Sequence, residues 1–300
     1  MRQLVTLKDL NTQPPDVLAE FTKWAGELSG MYERFLDEDD EDEEFTVSWG
    51  SSKNRAAGIH ASEISGCRRK GVYTLLGTKK IGAPASFWKR KFRAGHLYHQ
   101  LLQRDFHRMC ALTNGLMRFE DEIRIKPDLQ TLAKELDIYS SCDGAFTFYD
   151  GIGGPPILRV GVELKSASPG EWAELKKPKA DHVEQSTLYQ KLLDLPLMWT
   201  LYYNKGTQAM TKSEHPWLFR FNERLWSELE TRIEENHGWA RDASETGDFP
   251  KRIEGIGCEF CPYSWTCGPA YLKKKAAKEA AKKARNRTTR LARRLRLPVT

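Results

Sequence analysis

Apolar and polar positions alternate from Ile157 to Lys165, which is the pattern of a β-strand with one buried face. One face carries Leu158, Val160, Val162 and Leu164, and the other carries Arg159, Gly161, Glu163 and Lys165. An acid and a lysine therefore project together from the carboxyl end of this strand, which we predict to be central in a sheet.

The same periodicity predicts the other elements. Further strands are predicted at Arg118–Ile125, Asp137–Phe148, Leu197–Tyr203 and Trp217–Phe221, and helices at Asp16–Leu36, Pro84–Cys110, Ala180–Leu193 and from Asn222, as its cap, to about Ala240. We also expect Ser62 to cap a helix that carries Cys67. This order of elements predicts an α/β fold, more strictly an α+β arrangement with a mixed sheet and helical cover.

The helix predicted from residue 84 to residue 110 has a largely apolar stripe near one face. The stripe comprises Phe92, Gly95, His99, Leu102, Phe106 and Met109.

The segment from Asp150 to Pro156 is a strong turn signal, with three glycines and two prolines. A hairpin centred near Gly153 pairs residues whose numbers sum to about 306, so Asp143 faces Glu163. Directly opposed residues have Cβ atoms about 5 Å apart, close enough for one divalent cation to bridge two carboxylates. The alternative is that Asp143 opens a turn and Glu163 lies on a solvated strand edge.

The chain has 300 residues, 40% of them hydrophobic, and no apolar run approaches the ~20 residues that span a bilayer. Residues 1–9 lack the apolar core of a signal peptide. We therefore expect a cytoplasmic protein, in the host cytoplasm if a phage encodes it. Residues 51–270 are predicted to form the main domain, preceded by a helix and acidic loop at 1–50 and followed by a basic helical tail at 271–300.

The net charge of +6 hides a strong asymmetry. Lys273 to Arg296 contains twelve Lys or Arg and one acid, whereas Asp37 to Glu44 is eight consecutive acids. We expect the tail, beginning with Lys273, Lys274 and Lys275, to bind a polyanion, since basic side chains release counterions from phosphates. The alternative is a disordered solubilising tail.

Three cysteines, Cys258, Cys261 and Cys267, lie within ten residues. In a reducing compartment this spacing points to metal ligation before disulfides. Cys67 is the best fourth ligand, because three neighbouring basic residues favour its thiolate. From the spacing alone, structural zinc and an iron–sulfur cluster both remain open. We expect Cys110 to be a core residue and Cys142 to lie beside Asp143 on the opposite strand face.

These motifs together resemble the RecB-type branch of the PD-(D/E)xK nucleases, in particular its iron–sulfur members, such as the CRISPR-associated adaptation exonucleases and the nuclease domain of AddB. The resemblance covers about Ser62 to Cys267. Its elements are Gly95 to His99 for Gly-x3-His, Cys142-Asp143-Gly144 for the metal-binding aspartate, Glu163-Leu164-Lys165 for Glu-x-Lys, and Gln185 to Tyr189 for Gln-x3-Tyr. Cys142 stands where the family name calls for proline.

The resemblance implies a restriction-endonuclease-like core closed by a four-cysteine staple. It implies catalytic roles for Asp143, Glu163 and Lys165. His99, Asp143, Glu163 and the carbonyl of Leu164 would hold Mg²⁺ or Mn²⁺, and the cysteines would hold a 4Fe-4S cluster.

The implied activity is a metal-dependent exonuclease acting on single-stranded or end-resected DNA. The implied settings are recombination, replication, phage DNA metabolism or CRISPR adaptation, with a protein partner in a DNA-processing complex and no membrane. Gln185 and Tyr189 would look toward the DNA, and Arg90, Lys91 and Arg93 would steer it.

Glu120 and Glu122 are weaker candidates for supporting the metal. Two other functions stay open: a catalytically silent nuclease fold that binds DNA or a partner, and a zinc-stapled DNA-binding or regulatory protein.

Overall fold

The computed structural model describes residues 30–32, 34–35, 58–80, 86–210, 217–252, 258 and 261–268. Residues 30–32 and 34–35 are helical, and the rest of the helix predicted at Asp16–Leu36 lies outside the described residues. The eight-acid run and the basic tail, including Lys273, Lys274 and Lys275, also lie outside them.

The described chain alternates helices and strands. After a 3-10 helix at Ala61–Glu63, the elements are α1 (Arg68–Leu75), α2 (Ser86–Ala111), β1 (Met117–Ile125), α3 (Thr131–Glu135), β2 (Ser140–Tyr149), β3 (Pro156–Ala167), α4 (Pro169–Glu174), α5 (Ala180–Leu193), β4 (Leu197–Asn204), β5 (Leu218–Arg220), α6 (Glu223–Glu245) and α7 (Ser264–Cys267).

The five strands form one mixed sheet in the order β1-β2-β3-β4-β5, so β3 is central as predicted. Neighbouring strands are antiparallel except β3 and β4, which are parallel and are joined through α4 and α5. A parallel pair requires such a crossover, because the chain must return to the end of the sheet at which β3 began before β4 can start. The predicted mixed α/β fold is confirmed.

The register of the β2–β3 hairpin is the one predicted. Five consecutive pairs, from Gly144 with Val162 to Phe148 with Leu158, have numbers that sum to 306. The register shifts by one residue toward the turn, where Tyr149 pairs with Pro156. At the other end the paired ladder stops at Gly144, so Asp143 and Glu163 lie one position beyond it.

Helices cover both faces of the sheet and create two apolar layers. One layer joins α2 to the sheet through Leu102, Phe106, Met109, Cys110, Phe146, Val162, Leu164 and Trp199. The other joins α5 and α6 to the opposite face through Cys142, Ala145, Leu188, Leu192, Met198, Leu229 and Ile233. The predicted burial of Cys110 is therefore confirmed, and burying these layers supplies the main driving force for folding.

Two local features differ from the sequence predictions. Cys67 is the N-cap of α1 and does not lie within a helix. Phe92 belongs to the largely apolar stripe predicted for α2, but its side chain is 57% exposed. The buried stripe of α2 begins at Leu102, so the amino-terminal part of the helix extends beyond the apolar layer.

The short helices α3 and α4 have no apolar periodicity long enough to predict. The start of α4 nevertheless has a readable signal: Ser168 and Glu171 form a reciprocal capping box with Pro169 at the first helical position. Among the described helices, none is long and apolar enough to cross a bilayer.

The backbone at Gly144 is closely packed next to Asp143, and the substitution Gly144→Ala tests this packing. A Cβ atom there would lie 2.3 Å from Phe119 Cζ and 2.8 Å from the backbone oxygen of Glu120. Because the backbone oxygen cannot turn aside, we expect Gly144→Ala to lower the free energy of unfolding by about 1–3 kcal/mol. Urea denaturation measures this.

Gly238 in α6 is the matched control, since a Cβ there meets nothing within 4 Å. Gly238→Ala should raise the free energy of unfolding by roughly 0.5–1 kcal/mol, because alanine loses less backbone entropy in a helix. Two variants of equal stability would contradict the packing described for Gly144.

Candidate active site

Asp143 connects α2 to β3 where the hairpin ladder ends. Its Oδ2 accepts a hydrogen bond from the Leu164 backbone N–H at 2.7 Å, and its Oδ1 lies 3.3 Å from His99 Nδ1. The Asp143 side chain is 14% exposed and the His99 side chain 25%. The motifs around His99 and Asp143, distant in sequence, thus meet in one place.

Gln103 supports Asp143 from behind, and the sequence analysis missed it. Its Nε2 donates to the Asp143 carbonyl oxygen at 2.8 Å and more weakly to Glu122 Oε1 at 3.4 Å. Gln103 follows His99 by one helical turn and is buried, so it is a polar residue inside an otherwise apolar helix face. A buried amide in that position was the available sequence signal.

Lys165 forms the second half of the site. Its Nζ donates to Glu163 Oε1 and, at 2.9 Å, to Gln185 Oε1. Gln185 Nε2 donates to the Tyr189 hydroxyl at 2.8 Å, and that hydroxyl donates to the Ser141 carbonyl oxygen at 2.8 Å. This chain of hydrogen bonds fixes the lysine between the sheet and α5.

Gln185 and Tyr189 are both buried, whereas the resemblance implied side chains that look toward DNA. The reason is that α5 packs on the sheet through the face that carries them. The structure brings them to the site from inside, where they contact Lys165 and Ser141.

Glu163 is the most deeply buried acid of the site, with only 2% of its surface exposed. Its Oε2 has no hydrogen-bond partner among the described residues. Burial and the negative charge of Asp143 raise the pKa of Glu163 to about 7, and Lys165 offsets this only in part. A buried carboxylate oxygen without a donor is costly, and it leaves a lone pair available to a cation.

The pKa values of the other three groups shift toward the charged form. Burial alone would raise the pKa of Asp143, but His99, Lys165 and the Leu164 N–H together hold it below its usual value. For His99 and Lys165, burial opposes the charged form, yet the two carboxylates raise both pKa values. The surroundings therefore favour the charged forms of His99, Lys165 and Asp143, whereas the pKa of Glu163 lies at about 7.

His182 and Tyr202 border the site and were also missed. Tyr202 is the β4 partner of Lys165, and its hydroxyl accepts from the Lys179 N–H and hydrogen-bonds to His182 Nδ1. Burial and the charge of Lys165 lower the pKa of His182 to about 4. His182 precedes Gln185 by three residues, so the two lie near the same face of α5, but no motif in the sequence analysis included His182.

The donor set suits a hard divalent cation. Asp143 is near enough for its charge to raise the pKa of Glu163, and one Glu163 oxygen has no partner among the described residues. Carboxylate oxygens are donors that Mg²⁺ and Mn²⁺ prefer. In the described part of the chain, no group of three or more His, Cys, Asp or Glu side chains is arranged to hold a metal ion. The metal roles of His99, Asp143, Glu163 and Leu164 therefore stay predictions.

The four predicted cluster cysteines line a single cavity of about 840 Å³ between α1, α5 and the segment around α7. Arg69 and Arg252 line the same cavity. Burial raises the pKa of Cys267, while these two arginines lower it. Four thiols with cationic neighbours fit the chemistry of a tetrathiolate zinc or iron–sulfur site, and the staple itself stays a prediction.

The remaining predicted residues are placed as follows. Arg90 and Arg93 are exposed on α2, the side chain of Lys91 lies outside the described part, and Glu122 reaches Gln103 and Ser141. Glu120 instead pairs with Arg159 at 3.4 Å, on the exposed edge of the sheet.

No family model and no curated protein match the chain. The solved structures that are similar to it include the three that follow. The crystal structure of SSO0001 shares 14% identity and covers 81% of this chain and 96% of its own, with a TM-score of 0.42. An alkaline exonuclease from Laribacter hongkongensis shares 16% identity over 74% of this chain and 94% of its own, with a TM-score of 0.40. Its complex with dAMP shares 14% over the same spans, with a TM-score of 0.39. Such weak likenesses assign no family, so the site is interpreted from its own geometry.

The raised pKa of Glu163 predicts a pH-dependent cost. The unfolded glutamate ionises near 4.5 and the folded one near 7, so the fold binds the extra proton between these values. The free energy of unfolding should fall as pH rises through this window, and the whole destabilisation should be present above it. Glu163→Gln should raise the free energy of unfolding of the metal-free protein at pH 8 by about 1–3 kcal/mol and change it little near pH 4.5.

Thermal unfolding in a chelator, measured at both pH values, checks this. Glu174→Gln, which changes an exposed glutamate on α4, is the matched control. An equal shift at both pH values, or none at pH 8, would show that Glu163 is not the strained acid described.

Proposed function

We propose that the protein is a divalent-metal-dependent nuclease of the PD-(D/E)xK type with a restriction-endonuclease-like core. The observation that supports this most is the convergence of two acids and a lysine: Asp143 and Glu163 meet beside Lys165, with one Glu163 oxygen buried and unpartnered among the described residues. A protein that used this sheet only as a scaffold would gain nothing from burying such a charge.

In this proposal Asp143 and Glu163 hold the ion, with His99 and the Leu164 carbonyl beside them. When bound, the ion supplies Lewis acidity, which makes water a better nucleophile and offsets negative charge on phosphate. The hydrogen bonds from Leu164 N–H and Gln103 fix the orientation of Asp143 before any ion arrives. Such preorganisation is how a protein reduces the reorganisation cost of a reaction.

Lys165 acts as a cation in this mechanism. Two functions for a lysine in this position were open, orienting water or deprotonating it. Its raised pKa favours the ammonium form, which can donate to water or to a phosphate oxygen but cannot accept a proton. If Glu163 held an ion, Gln185 would still anchor the Lys165 ammonium.

The proposed substrate is DNA, single-stranded or with resected ends, cut by an exonuclease in the cytoplasm. The basic segment of α2 and the basic tail would attract the phosphate backbone. Recombination, replication, phage DNA metabolism or CRISPR adaptation, with a protein partner, are the proposed settings. The catalytically silent alternative is less favoured, because the acids, the lysine and the histidine are all present and in contact.

We further propose that Cys67, Cys258, Cys261 and Cys267 hold a 4Fe-4S cluster, with zinc as the alternative. The support is their shared cavity and its cationic rim. Protein purified without oxygen should be brown with broad absorbance near ~400 nm, and Cys261→Ser should lose that colour. Cys110→Ser is the control, since Cys110 lies in the apolar layer. A colourless protein that carries zinc would establish the alternative.

The nuclease proposal predicts cleavage of end-labelled single-stranded DNA that requires Mg²⁺ or Mn²⁺. Asp143→Ala and Lys165→Ala should each lower the rate by roughly 100-fold or more, because each removes a group that acts in the transition state. Quenched time courses on sequencing gels measure both rate and product length.

Asp150→Asn, in the exposed turn of the same hairpin, and Lys134→Ala, on α3, are the matched controls. Both should cleave at the native rate. Full activity in Asp143→Ala and Lys165→Ala would refute the site. Activity that does not depend on added metal or chelator would refute the metal requirement.

A further inference from the structure

Phe92 is an exposed aromatic residue in line with the proposed site. Its side chain is 57% exposed on α2. Phe92, His96, His99 and Gln103 recur at spacings of four, three and four, so they share one face of the helix. The inner two contact Asp143, and the outer two are exposed. One helix face therefore runs from the proposed ion site to an exposed ring.

The same part of α2 is strongly basic. The fourteen residues from Ser86 to His99 include four Lys or Arg and no acid. Arg90 and Arg93, which flank Phe92 in sequence, are exposed. A helix segment that combines exposed cations with an exposed aromatic ring matches the two features of single-stranded nucleic acid, a phosphate backbone and flat bases.

The spacing also matches a nucleic-acid strand. Phe92 precedes His99 by seven residues, which is about 10 Å along a helix. A stacked strand advances about 3.4 Å per nucleotide, so this distance corresponds to about three nucleotides. A strand whose reacting phosphate lay at Asp143 would therefore bring a base to the ring of Phe92.

An apolar contact with another protein is a weaker explanation for the ring. Large flat apolar patches mark protein interfaces, but this exposed ring lies in a segment, residues 86–99, whose sequence contains four Lys or Arg and no acid. Leu97, an exposed apolar side chain of the same segment, lies about 140° around the helix from Phe92, so these two side chains do not form one patch.

We propose that Phe92 stacks on a base of a single-stranded nucleic acid about three nucleotides from the reacting phosphate, with Arg90 and Arg93 contacting the flanking backbone. This rests on the proposed function for the position of the reacting phosphate, and it extends that function by naming a binding residue. Stacking on a ring is tolerant of sequence, because every base has a flat face. Duplex DNA, whose bases are already stacked on each other, should gain nothing from Phe92.

The test uses the full chain in an Asp143→Asn background with single-stranded oligonucleotides that carry 2-aminopurine at one position each. Fluorescence anisotropy gives affinity, and the 2-aminopurine intensity reports stacking at each position. We expect one or two positions to respond, and Phe92→Ala to abolish that response and weaken single-strand binding roughly tenfold. Phe92→Trp should keep both. Leu97→Ala, an exposed apolar residue on the same segment, should behave as the parent.

Equal affinity and an equal 2-aminopurine response in Phe92→Ala and the parent would overturn the proposal. So would an equal loss of affinity for single-stranded and duplex DNA in Phe92→Ala, because stacking requires unpaired bases. The proposed chemistry is tested separately, by comparing DNA cleavage by the native protein and by its Asp143→Ala variant, both of which keep Phe92. A position-specific response without any cleavage would retain the stacking site and remove the nuclease.

Discussion

The arrangement of the site depends on two carboxyl groups placed side by side where the β2–β3 ladder ends. Asp143 is held by the Leu164 N–H, His99 and Gln103, so its charge is stabilised by contacts from both α2 and β3. Among the described residues, one carboxylate oxygen of Glu163 accepts a hydrogen bond from Lys165, and the other has no donor. The pKa values of the two acids consequently move in opposite directions, although they belong to one hairpin. The pair therefore combines a stabilised carboxylate, Asp143, with a carboxyl group, Glu163, that has an unpartnered oxygen, which suits it to a cation.

Helices on both faces of the sheet hold this pair in place. The long helix α2 packs on one face of the sheet through Leu102 and Phe106. Gln103 on the same turn and His99 on the preceding turn reach Asp143. On the opposite face α5 buries Leu188 and Leu192 and delivers Gln185 to Lys165. Each polar contact of the site is thus one or two helical turns from an apolar anchor, which gives it a rigid base.

The same geometry explains why the outer end of α2 is available for another use. The amino-terminal part of α2 extends beyond the apolar layer, and Phe92 is exposed there. A helix that is packed on the core at one end and basic at the other can present its basic end to a charged ligand without disturbing the core. The four-cysteine cavity lies elsewhere, beside α1 and α7, so the two features are independent.

Much of this was determined by sequence alone. The alternation around Val162, the turn near Gly153 and the caps at Asn222 specified the strands, the hairpin register and several helix boundaries, because these signals are local. Only the tertiary structure decided that Gln103 would reach Asp143, that His182 would border Lys165, that Gln185 and Tyr189 would be buried, and that Phe92 would be exposed. Those outcomes depend on how far each helix overlaps the sheet. Periodicity shows which side chains share a face, but it does not show where along the helix the partner surface ends.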